Sequence, residues 1–155
     1  MAKGNKRTTE MTLFNAVDPF SATIVGFGVQ TLLVSSEPTH GPVSRRLSGM
    51  GCQIEVCDEL YFAIDRVLDG PQDFELIVID CDSIGGLAQG RRAHMLLKAT
   101  GRCLPVILVS SECAEQTFPF NRYDATELRA PLSAVSLRVG FEHALQERLL
   151  MARAS

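Results

Sequence analysis

No apolar run in this chain approaches the roughly 20 residues that span a bilayer, so no membrane-spanning helix is expected. The N-terminus carries Lys3, Lys6 and Arg7 but no apolar stretch leading to a small-residue cleavage site. It reads as a solvated tail rather than a secretory signal, and the cytoplasm is the expected location. Positive charge is not in excess either. The formal net charge of -3 offers no electrostatic case for nucleic-acid binding. The five cysteines, Cys52, Cys57, Cys81, Cys103 and Cys113, are odd in number and form no C-x-x-C pair. That argues against both a zinc site and a disulfide framework. Cys57 and Cys81 fall at or beside strand ends, where free cysteine behaves as a small apolar residue. No G-x-G-x-x-G and no Walker A sequence occurs, and Gly85-Gly86 is too slight to count as one. His40, His94 and His143 fall on a loop and two helices with no nucleophile signature to match, so the chain reads as non-enzymatic.

What is present is a chain of 155 residues, 46% of them apolar, enough for one buried core. Residues 1–28 show no sustained period and read as a largely flexible N-terminal extension. The domain proper is expected over 29–155. Thr31-Leu32-Leu33-Val34 is a short apolar run stopped by Ser35-Ser36-Glu37-Pro38, a buried strand entering a loop. Gly41-Pro42 opens a helix with Val43, Leu47 and Met50 on one face. Gln53 to Cys57 alternates as a strand. Asp58 is the expected N-cap of the next helix, whose apolar stripe is Leu60, Ala63, Ile64, Val67 and Leu68. Glu75-Leu76-Ile77-Val78-Ile79 and Pro105-Val106-Ile107-Leu108-Val109 are continuous β-branched-rich runs of the kind a central parallel strand needs. Between them a helix is expected over about residues 87–100. Pro119 interrupts the segment 112–123, so the helix expected there is short or distorted. Glu127-Leu128-Arg129 is a fifth strand. The last and longest helix runs from Leu132 to about Met151, with Leu137, Phe141, Leu145 and Leu149 four apart.

Strand then helix, five times over, implies a doubly wound five-stranded parallel sheet, an α/β fold with helices on both faces. Ligands of such sheets sit at the carboxyl ends of the strands. There the chain places Ser35 and Ser36, Asp80 and Asp82, Ser110, and Arg129-Ala130-Pro131. Asp82 and Ser83 are typical turn formers.

These strand ends resemble response-regulator receiver domains, the CheY-like family, over residues 30–150 or so. TLLVSSEP is similar to their first strand, FELIVID to their third, LPVILVSS to their fourth, and RAPL to the place where they carry Lys-Pro. The resemblance implies that Asp80 is at the phospho-acceptor position and that Ser110 is the hydroxyl that would bond a phosphoryl oxygen. Glu37 matches an acidic residue often found after the family's acidic pair. The departures are larger. Ser35 and Ser36 stand where the family has that acidic pair, whose charge helps to hold Mg²⁺. Ala130 stands where it has a lysine, and Glu127 where it often has a switch aromatic. Arg129 is one residue from the lysine position, so strand alternation points it to the other face. Phosphoryl transfer rests on positioning and charge neutralisation, which this pocket has largely lost.

The expectation is therefore a degenerate receiver, a pseudo-receiver that signals through protein–protein interaction without a standard Mg²⁺-dependent phosphorylation cycle. It has no resident cofactor, and at most weak Mg²⁺ binding through Asp80, Glu37 and Asp82. The implied partners are a histidine kinase or another regulator, with a homodimer as the alternative. Leu145 and Leu149 are the candidate interaction residues, and no fused DNA-binding output is expected. Two alternatives stay open: an active single-domain response regulator phosphorylated on Asp80, and a small-molecule or nucleotide binder on a flavodoxin-like sheet.

Overall fold

The structure, a computed structural model, describes residues 26–37, 41–101, 104–121 and 123–154, with side chains as far as Leu145. The N-terminal extension lies almost wholly outside the described residues, as do Cys103 and the side chain of Leu149. The elements are β1 (Gln30–Val34), α1 (Pro42–Gly49), β2 (Gln53–Cys57), α2 (Leu60–Asp69), β3 (Leu76–Asp80), α3 (Leu87–Ala99), β4 (Val106–Ser110), β5 (Thr126–Arg129) and α4 (Ala134–Ala154). A single 3₁₀ turn, Cys81–Ser83, follows β3.

The five strands form one parallel sheet in the order β2-β1-β3-β4-β5. Alternation along each central strand sends side chains to opposite faces. Leu32, Val34, Ile77, Ile79 and Leu108 pack beneath α2 and α3 with Leu60, Val67 and Leu97. Leu33, Leu76, Val78, Ile107, Val109 and Leu128 pack beneath α1 and α4 with Leu47, Leu137 and Phe141. Burial on both faces is why β3 and β4 are apolar at every position up to their final polar residue.

Three expectations are corrected. The N-cap of α2 is Glu59, not Asp58: its carboxylate accepts the Phe62 N–H at 2.8 Å, the geometry an N-cap side chain needs. The second departure is the fourth crossover. Among the described residues no helix joins β4 to β5, so the strands are five but the helices four. The backbone there is satisfied differently. Thr117 and Glu127 exchange both N–H···O bonds as an isolated antiparallel bridge on the outer edge of β5, at 2.8 and 2.9 Å. Asn121 Oδ1 accepts the N–H groups of Tyr123 and Asp124 in a side-chain turn. Pro119 has no N–H to give a helix. Phe118 swings to the α4 side, edge-on to the His143 ring at 5.8 Å, while His143 Nε2 contacts the Pro119 carbonyl. The face of β5 that a crossover helix would cover is instead spanned by Arg91 of α3, which pairs with both oxygens of Glu127 at 2.8 Å.

The third correction concerns α4. Leu145 is 8% exposed and packs into the core with Leu137 and Phe141, so it is a packing residue rather than a docking surface. Among the described side chains of α4, the exposed large apolar ones are Val135 and Val139, on the opposite stripe. Among the described residues no helix is long and apolar enough to cross a membrane.

Candidate functional site

Strand order reverses between β1 and β3, which opens a crevice at their carboxyl ends. Register then fixes what meets there. Val34 pairs with Ile79 and Asp80 with Val109, so Ser35 and Asp80 arrive at one level and Ser110 one residue beyond it.

Asp80 is 8% exposed, and its Oδ2 accepts the Ser35 hydroxyl at 3.0 Å. Ser35 is itself buried, and its oxygen accepts the N–H of Glu37 at 3.1 Å. Burial pushes the Asp80 carboxyl above its usual range, with the charges of Glu37 and Asp82 adding to the rise and the Ser35 and Ser83 hydroxyls opposing it. Ser36 is exposed and faces the β3 turn: its N–H donates to Ser83 Oγ at 3.0 Å and its hydroxyl to the Ser83 carbonyl at 2.7 Å. Ser83 in turn donates to the Asp80 carbonyl at 2.9 Å.

On the other side of β3, Ser110 is fully buried and donates its hydroxyl to Asp82 Oδ1 at 2.8 Å. The Ser111 N–H reaches both oxygens of the same carboxylate, at 3.1 and 2.9 Å. Ser110 Oγ also accepts the Glu112 N–H at 3.0 Å. For Asp82, burial pushes upward, but the Ser111 N–H and the Ser110 hydroxyl together outweigh it and hold the carboxyl below its usual range. Glu112 extends the network, its Oε1 accepting the Leu87 N–H at 3.1 Å at the start of α3. Gly85 and Gly86 complete the connection with φ of 114° and 107°, values that favour glycine, which is the physical reason for that pair.

Ser35, Asp80, Asp82 and Ser110 are thus brought together, with Ser36 alongside. Glu37 is present at the rim through its N–H. Ala130 brings a half-buried methyl group and no charge. Arg129 does not replace the lysine: its guanidinium is directed to the carbonyls of Cys113 and Ala114. Ser111 and Glu112 are the participants that position alone had not pointed to. A sequence signal for them exists, since Val34-Ser35-Ser36-Glu37 and Val109-Ser110-Ser111-Glu112 are the same tetrapeptide at the ends of the two strands flanking β3. Below the network, Cys81 and Cys113 lie in the α2/α3 core, and burial pushes the Cys81 thiol up to about 12. The thiolate is the reactive form, so Cys81 is inert near neutrality.

The fold of the chain is similar to that of a set of solved structures. One is a response regulator receiver domain protein from Clostridium thermocellum, at TM-score 0.61 and 14% identity, covering 79% of this chain and 98% of that one. The fold is the receiver fold. The chemotaxis response regulator CheY4 of Vibrio cholerae is similar at TM-score 0.55 and 14% identity, over 76% of this chain and 99% of that one. The N-terminal domain of a response regulator/sensory box/GGDEF 3-domain protein from Carboxydothermus hydrogenoformans is similar at TM-score 0.57 and 19% identity, over 81% and 99%. Neither a family model nor a curated protein matches the chain.

The receiver fold implies Mg²⁺ at this crevice, and the residues present do not fit it. A hard dication takes charged oxygen ligands with free lone pairs. Ser35 and Ser36 supply neutral hydroxyls in place of charged ligands, and both oxygens of Asp82 already accept hydrogen bonds from Ser110 and Ser111. Among the described residues no group of three or more His, Cys, Asp or Glu side chains is placed to hold a metal ion.

Proposed function

We propose that this chain is a non-enzymatic signalling module of receiver fold, acting in the cytoplasm by binding a protein partner without a Mg²⁺-dependent cycle of phosphorylation on Asp80. The observation that carries this reading is the Ser35 hydroxyl on Asp80 at 3.0 Å. It puts a neutral donor where the metal-binding charge would be, and ties to it a carboxylate that is itself only 8% exposed. Ala130 supports the same reading, because it brings no cation to neutralise a phosphoryl group. A sensor kinase or another regulator of the same signalling class is the partner this fold suggests.

The competing reading is an active receiver. It is favoured by Asp80 and Ser110 standing together at the ends of β3 and β4. One experiment separates the two: incubation with acetyl phosphate and Mg²⁺, followed by intact mass. No phosphoryl adduct is expected. A stoichiometric adduct that disappears in Asp80→Asn would overturn the proposal in favour of the active receiver.

A further inference from the structure

The two V-S-S-E strand ends do the same thing on either side of β3. Each first serine donates its hydroxyl to a carboxylate of the Asp80-Cys81-Asp82 stretch and accepts the N–H of its own glutamate two residues on. The two carboxylates differ in setting. Asp80 is buried, whereas Asp82 is exposed to water and yet does not use it for its main partners. At the end of β4, a hydroxyl and a backbone N–H converge on one point, which is an anion-receiving nest. Asp82 already occupies that point.

We infer that Asp82 is a resident anion, whose carboxylate fills the oxyanion seat made by the Ser110 hydroxyl and the Ser111 N–H and keeps free tetrahedral oxyanions out of it. The inference deepens the proposed function and rests on it in taking the signalling state to have no phosphoryl group at this seat. The surroundings leave a competing anion little to gain. Ala130 gives no cation, Arg129 is spent on the Cys113 and Ala114 carbonyls, and Glu112 turns its carboxylate to the Leu87 N–H. Asp80, on the same turn, adds a second negative charge. An incoming oxyanion would have to displace Asp82 from its donors and then sit beside both carboxylates. Its apparent affinity falls by the fraction of time the seat is vacant.

The test is a titration of the whole chain with inorganic phosphate at constant ionic strength, read on the backbone amide signals of Ser111 and Glu112 by NMR. In the wild type these signals should stay in place. In Asp82→Ala they should shift saturably, with an apparent affinity roughly tenfold to hundredfold higher, the factor expected when charge-assisted hydrogen bonds no longer compete. Equal responses in the two proteins would overturn the inference, as would a folded Asp82→Ala that gives no saturable shift. Should Asp82→Ala fail to fold, an acid titration of the wild type and Asp82→Asn decides. The wild-type Ser111 amide proton should move in one acid step with a midpoint below that of an ordinary aspartate, and Asp82→Asn should lose that step. A Ser111 amide indifferent to acid would end the proposal. Phosphate forms no bond to Asp80, so the acetyl phosphate result and this one fail independently.

Discussion

Replacing Ser35 by alanine should destabilise the protein more than replacing Ser110 by alanine, although the two serines sit in identical tetrapeptides and make the same pair of bonds. The difference lies in the acceptors. Ser35 donates to a carboxylate that is 8% exposed, so its loss leaves Asp80 a charge that water cannot reach. Hydrogen bonds to charged groups contribute about 1.5–3 kcal/mol, and an abandoned buried partner puts Ser35→Ala at the top of that range. Ser110 donates to an exposed carboxylate that keeps both contacts to the Ser111 N–H and regains water, so Ser110→Ala should cost roughly 1 kcal/mol. For a domain of this size each kcal/mol moves Tm by about 2–4 °C, so the two variants are separable by heat as well as by urea.

The pH dependence carries the sharper distinction. The folded-state pKa of Asp80 is raised, first by burial. Its ionisation therefore costs stability, which is lost as pH rises from the unfolded value through the folded one. Ser35 opposes that rise, so Ser35→Ala lifts the pKa further. Its penalty is complete above both folded values and shrinks as acid protonates Asp80. Asp82 is the opposite case: its folded pKa is lowered, so the stability it contributes is present above the unfolded value and lost only as pH falls through the folded one. The Ser110→Ala penalty should therefore persist to lower pH than the Ser35→Ala penalty. Urea unfolding of the three proteins across the acid range, compared at a shared m-value, gives both curves. Equal penalties at neutral pH, or penalties that fade at the same pH, would refute the account.

Two further outcomes follow from packing. Gly90 lies inside α3, where alanine ordinarily stabilises by roughly 1 kcal/mol. Here a Cβ would run into the sulfur of buried Cys81, so Gly90→Ala should instead lose about 1–3 kcal/mol, and adding Cys81→Ala should restore part of it in a double-mutant cycle on urea midpoints. Arg91→Ala should lower stability by about 1–2 kcal/mol, because Glu127 has a side chain only 15% exposed and would lose both charged contacts. Arg91→Lys should recover less than half of that, since an ammonium cannot pair with both oxygens in the same plane; full rescue by lysine would show that charge alone matters there.

The legible parts of this fold are those whose physics is local. β3 and β4 are buried on both faces, which writes an unbroken apolar run into the sequence. The stripe of α2 is readable for the same reason, while its cap is not. Asp58 and Glu59 are adjacent acids, and only the backbone angles of the helix entry, with Glu59 extended at φ −139° and ψ 130°, decide between them. The missing crossover helix was half legible. Pro119 announced a break, but alternation of strands and helices overstated what would replace it. The Thr117–Glu127 bridge and the Arg91–Glu127 pair depend on contacts far along the chain, and no window of sequence contains them. Leu145 read equally well as a core or a docking residue, since a leucine spaced by four serves both.

The site divides along the same line. Asp80, Ser35 and Ser110 follow from knowing where strands end. The role of Asp82 does not, because its partners lie 28 and 29 residues away on another turn. Charge explains why those partners are hydroxyls and amides. A pocket with an acidic pair, an acceptor aspartate and a lysine is balanced by a dication and a cationic side chain. With Ser35, Ser36 and Ala130 in those places, the two remaining carboxylates have no metal-binding anions beside them and no lysine opposite. They are left needing neutral donors. Two serines at the ends of β1 and β4, each held by the N–H of a following glutamate, supply them from within the chain. Ser35 serves Asp80 and Ser110 serves Asp82, so each carboxylate of the turn after β3 takes its hydroxyl from a different neighbouring strand end. A single acidic substitution at the end of β1 should accordingly be unfavourable. Ser35→Asp alone would set a third carboxylate against Asp80 and Asp82 with no lysine at position 130 to offset it, and should neither give a phosphoryl adduct by intact mass nor match the urea midpoint of the wild type.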